Sequence, residues 1–326
     1  MKSHYNTKIQ SAISNLILNC GTLSNDENVL IICDESTIEI SNYLQKYIIT
    51  LKNKCDMFIM NYIGFHGTEP PEKLTHLMYS CDLIICLTKH SLAHTQARFN
   101  SSKKGIKFLS LPDFSFKVLQ RNAIQFDFRS LTSISFKIAE ILSLGTQLTI
   151  HSKRGTNLSC NIIGREANPA PGWCYEKGVL ASPPDSETNI SLVEDGSNGI
   201  LVVDGSIPCE RIGRVKSDIT LLIKSGKVNK ISGNKSRILT KIFDSCENEK
   251  SRILAEFGIG LNPSARLCGM MLEDEGTLGT IHIGIGSNST IGGKNEIGFH
   301  LDHVILNPSV WVDDFQIMNE GKLTIF

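Results

Sequence analysis

Short apolar runs alternate with amphipathic stretches through the first 145 residues. Runs over 29–33, 57–62, 82–87 and 106–111 are strand-sized, and Pro112 stops the last of them. Between them, 38–50, 72–79 and 92–102 carry apolar positions at helical spacing, and 132–144 reads as a closing helix. This alternation predicts a mostly parallel sheet covered by helices. From Thr146 the pattern changes to short β-type segments separated by glycine turns, over 147–151, 157–163, 199–204, 219–224 and 227–232. One helix candidate, 235–246, interrupts them, and further strands are expected over 253–260, 280–285, 299–306 and 311–326. The second half is therefore expected to be a mixed, largely antiparallel β domain, and the whole chain α/β followed by α+β.

Composition sharpens the division. Only four of 26 Gly precede Leu144, and seven of ten Pro follow it, so the expected domains are 1–145 and 146–326. Lys+Arg and Asp+Glu are both 33, which leaves no basic excess for a phosphate backbone and argues against a nucleic-acid partner. No apolar run approaches the roughly 18 residues of a membrane span, and residues 1–10 are polar without a secretory apolar core. A soluble, cytoplasmic protein without a membrane partner is expected. Ten Cys at irregular spacing, with no C-x-x-C pair, read as reduced thiols. Neither G-x-G-x-x-G nor G-x-x-x-x-G-K-[ST] occurs, so the first half reads as a scaffold and substrate-positioning domain.

The chemistry-bearing residues gather late in the chain. G-T-I-H-I-G-I-G places His282, and F-H-L-D-H-V places His300, Asp302 and His303. On a strand, His300 and Asp302 share one face and His303 takes the other. If the His282 strand pairs beside them, two imidazoles and a carboxylate form a shell suited to zinc, manganese, cobalt or ferrous iron. Unrelated polar residues at strand ends would give the same spacing. Glu256 stands inside the apolar run A-E-F-G-I-G-L-N-P, where a buried charge costs several kcal/mol unless paired or metal-bound. Glu187 follows Pro183 and Pro184 in a segment that reads as a loop. Glu275 ends an acidic run before His282, and either of these two also fits a solvated loop carboxylate.

The strings E-F-G-I-G-L-N-P, E-D-E-G-T-L-G-T-I-H-I-G-I-G, G-G-K-N and H-L-D together resemble the aminopeptidase T group of metallo-aminopeptidases (leucyl aminopeptidases) and its relatives, which include the iron-dependent 2,5-dihydroxypyridine dioxygenase. T-K-H-S-L-A-H-T-Q-A-R followed by G-I-K-F-L-S-L-P is similar to the N-terminal domain of the same group, so the resemblance covers most of the chain after about residue 80. It implies a metal site in the second domain, with Glu187, Glu256, His282, His300 and Asp302 as ligands to one or two divalent ions (Zn, Co or Mn). It further implies Glu256 or Glu275 as the catalytic proton carrier, and a homodimer or higher homo-oligomer. His94 and Arg98 are candidates for binding a substrate carboxylate, Arg98 by its two-pronged donor geometry; a solvated neighbourhood around a helix-capping Thr95 is the other reading of that segment.

On this resemblance the first reading is a metal-dependent hydrolase that removes an N-terminal amino acid from a small peptide or amino-acid amide through a metal-activated water. Two departures weigh against it. The segment between His282 and His300 is shorter than in the aminopeptidases, and Ser287, Asn288 and Ser289 stand where those enzymes have a Tyr. The alternative uses His282, His300 and Asp302 around Fe(II) for ring-cleaving dioxygenase chemistry, with Ser287 or Ser289 nearby. A metal-dependent tailoring enzyme acting on an amino-acid-derived small molecule is a third possibility.

Overall fold

A computed structural model describes residues 2–61 and 67–325. The chain divides into two compact units, Met1–Ser130 with Gly172–Pro184, and Leu131–Pro171 with Asp185–Phe326.

The first unit is built on a parallel sheet in the order Cys55–Ile59, Val29–Cys33, Leu83–Leu87, Lys107–Ser110, Leu180–Ala181. Val29–Cys33 and Leu83–Leu87 are buried at every position, which is why both read as unbroken apolar runs rather than alternating ones. Helices Ile38–Thr50, Glu72–Met78 and Gln96–Lys103 lie between the strands in sequence. The last begins four residues later than its apolar spacing predicts, because Thr95 caps it by accepting from the Arg98 amide at 3.1 Å. The strand predicted over 57–62 forms over Cys55–Ile59, and its residue 62 lies outside the described residues.

The second unit holds two antiparallel sheets. One has eight strands in the order Lys227–Gly233, Ile219–Lys224, Asn198–Val203, Asn157–Asn161, Gln147–His151, Ser309–Val312, Phe315–Asn319, Lys322–Leu323. The run expected as one closing strand over 311–326 is thus divided by two turns, and residue 326 lies outside the described residues. The other sheet has seven strands, in the order Gly213–Arg214, Ser206–Ile207, His300–Leu306, Thr280–Gly286, Leu254–Gly260, Glu187–Ser191, Ala167–Ala170.

Helix Thr132–Leu144 packs on Ala167–Ala170 and Glu187–Ser191. Ser135 Oγ lies 2.9 Å from Thr188 Oγ1, which in turn donates to the Ser135 carbonyl at 3.1 Å. These contacts group the helix with the second unit, while Gly172–Pro184 returns a strand to the first, so the compact units differ in both places from a single cut at residue 145. The largest local difference from expectation is Glu187–Ser191. Its polar sequence E-T-N-I-S reads as loop, yet it is buried at every position between two strands. Polar side chains are tolerated there because alternate ones serve different layers: Thr188 bonds the helix, and Glu187 and Asn189 turn to the opposite face.

That opposite face carries no apolar core. The core face of the sheet is formed by Ile190, Phe257, Ile259, Ile281, Ile283 and Ile305, all buried. His303 shares it, stacked on Phe243 of helix Ser236–Asp244 at 6.2 Å. All ten Cys are free thiols, and burial pushes those such as Cys160 and Cys174 up to about 12, which keeps them protonated. Phe257→Ala is expected to lower unfolding free energy by about 3–5 kcal/mol through the cavity it leaves. A urea-denaturation midpoint unchanged from the parent would contradict this packing.

Candidate metal centre

Register alone brings the candidate residues together. In the antiparallel pairs, Glu256 stands opposite Ser191 and Gly284, Gly258 opposite Asn189 and His282, and Gly260 opposite Glu187. On the next strand, Asp302 stands opposite Gly284 and His300 opposite Gly286. Directly opposed residues share a sheet face, so Glu187, Glu256, His282, His300 and Asp302 all project from one side.

Glycines at every second position make room for them. A Cβ on Gly258 would fall 2.1 Å from Cε1 and Nε2 of His282, and one on Gly284 would fall 2.6 Å from the same atoms of His300 and 2.9 Å from Glu256 Cβ. The two imidazoles therefore lie flat across neighbouring glycines. This close approach accounts for the alternation in E-F-G-I-G and H-I-G-I-G.

His282 Nε2 is 3.1 Å from Glu187 Oε2 and 3.9 Å from Glu256 Oε1. His300 Nε2 is 3.3 Å from Glu256 Oε2 and 3.2 Å from Asp302 Oδ1. Ligands about 2.1 Å from one ion, at angles between octahedral and tetrahedral, stand roughly 3.0–3.4 Å apart, so three of these four distances match a shared ion. Two groups meet the geometry, Glu187 with Glu256 and His282, and Glu256 with His300 and Asp302, each with donor atoms within 4.8 Å of one another. Glu256 belongs to both and offers one oxygen to each.

Hydrogen bonding points the same way. His300 Nδ1 donates to the Ser287 carbonyl at 2.7 Å, which leaves Nε2 facing the carboxylates, the orientation a metal ligand needs. Asn189 donates to Glu187 Oε1 at 2.5 Å, while Glu187 Oε2, Asn189 Oδ1, Asp185 Oδ1 and Glu275 Oε1 are buried without a hydrogen-bond partner. Such a collection of unsatisfied oxygens beside imidazole nitrogens fits a divalent cation.

Protonation follows from crowding. Burial pushes Asp185 and Glu275 well above the usual carboxylate range, reinforced by Glu187 beside the first and Asp302 beside the second. Burial also raises Glu187 to about 7, against the pull of His282. Glu256 and Asp302 move the other way: burial opposes their ionisation, but hydrogen bonds from His282 and His300 hold Glu256 down and the His300 charge holds Asp302 down. Burial would lower both imidazoles, yet the carboxylates outweigh it, raising His282 to about 10 and His300 well above its usual value.

Of the residues singled out from sequence, five converge here. Glu275 lies outside both ligand groups, near enough to Asp302 for that carboxylate to help hold its own carboxyl above the usual range. Its neighbours in the acidic run serve the backbone instead, Glu273 accepting from the Arg266 amide and Asp274 from those of Cys268 and Gly269. His94 and Arg98 belong to the first unit, where Arg98 Nε donates to the Ala93 carbonyl. Ser287 Oγ donates to the Asn295 carbonyl and lies 3.3 Å from Ser289 Oγ. Asp185 was missed by sequence reasoning. It stands two residues before Glu187, its Oδ1 2.7 Å from where a Cβ on Gly276 would be, and the D-S-E spacing was the available signal.

The chain thus combines a parallel α/β unit and a two-sheet unit whose His/carboxylate face is a candidate metal site. The model of the 2,5-dihydroxypyridine 5,6-dioxygenase family matches residues 44–325, and the chain belongs to that family. The 2,5-dihydroxypyridine 5,6-dioxygenase of Pseudomonas putida is 24% identical over 194 residues, 56% of this chain and 55% of that protein, so the match spans about half the length of that relative. The solved structure of the 2,5-dihydroxypyridine dioxygenase from Pseudomonas putida superposes with a TM-score of 0.82 at 19% identity, covering 98% of this chain and 97% of that one. AmpT from Thermus thermophilus superposes with 0.68 at 12% identity, over 98% and 100%. Both structures share the fold. The family match supports an enzyme and favours the dioxygenase alternative over the aminopeptidase reading that the sequence placed first. Among the described residues no helix is long and apolar enough to cross a membrane.

Two outcomes test the geometry. Gly258→Ala is expected to displace the His282 ring and weaken Zn(II) or Co(II) binding at least tenfold with the fold retained by circular dichroism; unaltered affinity would contradict the packing. An ion must displace protons from His282 and His300, so affinity rises with pH by about tenfold per unit for each proton lost. Calorimetry in buffers of different ionisation enthalpy is expected to show proton release at pH 7, and its absence would contradict the raised imidazole values.

Proposed function

We propose that this chain is a non-haem Fe(II) dioxygenase that opens the ring of a dihydroxylated N-heteroaromatic compound, with His282, His300 and Asp302 as the protein ligands of the ion. The observation that carries the proposal is the family match over residues 44–325, together with a two-His-one-carboxylate face within it. Two imidazoles and one carboxylate suit ferrous iron and leave positions open for other ligands, and since His282 and His300 fall in separate ligand groups that share Glu256, a single ion would draw the two rings together. When bound, iron supplies dioxygen activation and a chelation point for the substrate hydroxyls.

The remaining roles fall to the chain. His300 is held in one tautomer by the Ser287 carbonyl. Burial and the neighbouring Asp302 raise the Glu275 carboxyl, which makes it a proton carrier beside that ligand. Glu187, balanced at about 7, is the group able to take a proton from a substrate hydroxyl and hold it on Oε2.

One observation favours a second reading. Glu256 directs Oε1 toward His282 and Oε2 toward His300, the arrangement of a carboxylate that bridges two ions. A two-metal hydrolase would use it so, with Glu256 or Glu275 carrying the proton of the attacking water.

Anaerobic purification, metal quantification and parallel assays separate the two. The proposal expects one iron per chain and oxygen uptake with 2,5-dihydroxypyridine, and expects Glu256→Gln to retain the iron. Two ions per chain with amino-acid amide cleavage and no oxygen uptake would overturn it.

A further inference from the structure

The segment between His282 and His300 is held by a polar network that reaches well beyond the ligands. Asn288 is fully buried and Asn295 is 3% exposed. Asn288 Nδ2 donates to the carbonyls of Leu192 and Ala255 and to Glu194 Oε1, at 3.1–3.3 Å, and its Oδ1 accepts from the Asn295 amide at 2.8 Å. The two backbones are also joined, the Asn288 amide donating to the Asn295 carbonyl at 3.0 Å. Asn295 Nδ2 donates to the carbonyls of Gly286 at 2.6 Å and Lys250 at 3.0 Å. Behind them, Arg165 pairs with Glu194 at 2.7 Å and donates to the Gly292 carbonyl, and Glu194 also accepts from the Lys294 amide at 2.6 Å.

Ser287 sits at the centre of this network. Residues on both sides of it, Gly286 and Asn288, are fixed by Asn295, and its own amide donates to the Phe299 carbonyl at 2.8 Å. Its carbonyl is the acceptor for His300 Nδ1. Gly293 completes the fit, since a Cβ there would fall 1.9 Å from Asn288 Cγ. The sequence G-G-K-N is therefore explained by the second Gly making space for Asn288 and by the Asn locking the segment.

We propose that Asn288 and Asn295 are positioning residues of the metal centre, anchored by the Arg165–Glu194 pair, which hold the Ser287 carbonyl in line with His300 so that Nε2 faces the ion. The proposal rests on the reading of His300 as a ligand, and is independent of which reaction the ion performs. Loss of the Asn295 carboxamide frees the Gly286 flank of Ser287, loss of the Asn288 carboxamide frees the other, and His300 then rotates or adopts the other tautomer, which carries its hydrogen on Nε2.

The test is Co(II) titration of the full-length Asn295→Ala, Asn288→Ala and Glu194→Gln proteins, with His300→Ala as reference and the thermal midpoint of each metal-free protein measured alongside. Glu194→Gln keeps an acceptor for Asn288 and Lys294, and guards against failure of the alanine variants to fold. The expected result is Co(II) affinity reduced at least tenfold in the Asn variants and severalfold in Glu194→Gln, with a changed visible absorption spectrum in the folded protein. Lowered thermal midpoints with parental affinity and spectrum in the folded fraction would overturn the proposal and leave the His300 reading intact. Parental Co(II) affinity in His300→Ala would overturn both.

Discussion

Burial of like charge on one sheet face is the constraint on which the second unit depends. Glu187, Glu256 and Asp302 share that face, Asp185 and Glu275 stand close enough to perturb them, and among the described residues His282 and His300 offer the compensating charge. Carboxylates removed from water repel one another strongly and lose several kcal/mol of solvation each, so the arrangement persists only by taking up protons or a cation. The shifts run toward proton uptake, burial raising the Asp185 and Glu275 carboxyls and the carboxylates raising both imidazoles. A divalent ion accomplishes the same neutralisation with one particle at the centre of the group.

The surrounding architecture follows from the need to hold these groups at ligand spacing. Antiparallel register fixes each side chain along the strand to a step of two residues, and glycine at the opposed positions lets the imidazoles lie against the sheet. The other face is filled with Ile and Phe side chains, so the strands are anchored by packing while the polar face is left to the site. The segment after the His282 strand then returns through a locked turn whose carbonyl orients His300. Rigidity on three sides is what allows five side chains from four strands to meet.

Much of this was legible in the residues. The H-x-D alternation placed His300 and Asp302 on one face and His303 on the other, and the register agrees. Glu256 announced itself as a charge within an apolar run, because strand burial is visible as hydrophobicity and a single exception stands out. Glu187 and Asp185 were less visible, since E-T-N-I-S has the composition of a loop and its burial comes from pairing with Leu254–Gly260, a long-range contact. Boundary residues were hidden for the same kind of reason: helix Thr132–Leu144 joins the second unit through Ser135 and Thr188, far apart in sequence. The residues ranked hydrolysis ahead of oxygenation on donor types that both chemistries use, and the family match favours the reverse order.

The most direct measurement is an anomalous difference map at the iron edge from crystals grown anaerobically with Fe(II). The account predicts one strong peak about 2.0–2.2 Å from Nε2 of both His282 and His300 and from an oxygen of Asp302. No peak on this face of the sheet, or one that contacts neither imidazole, would contradict it.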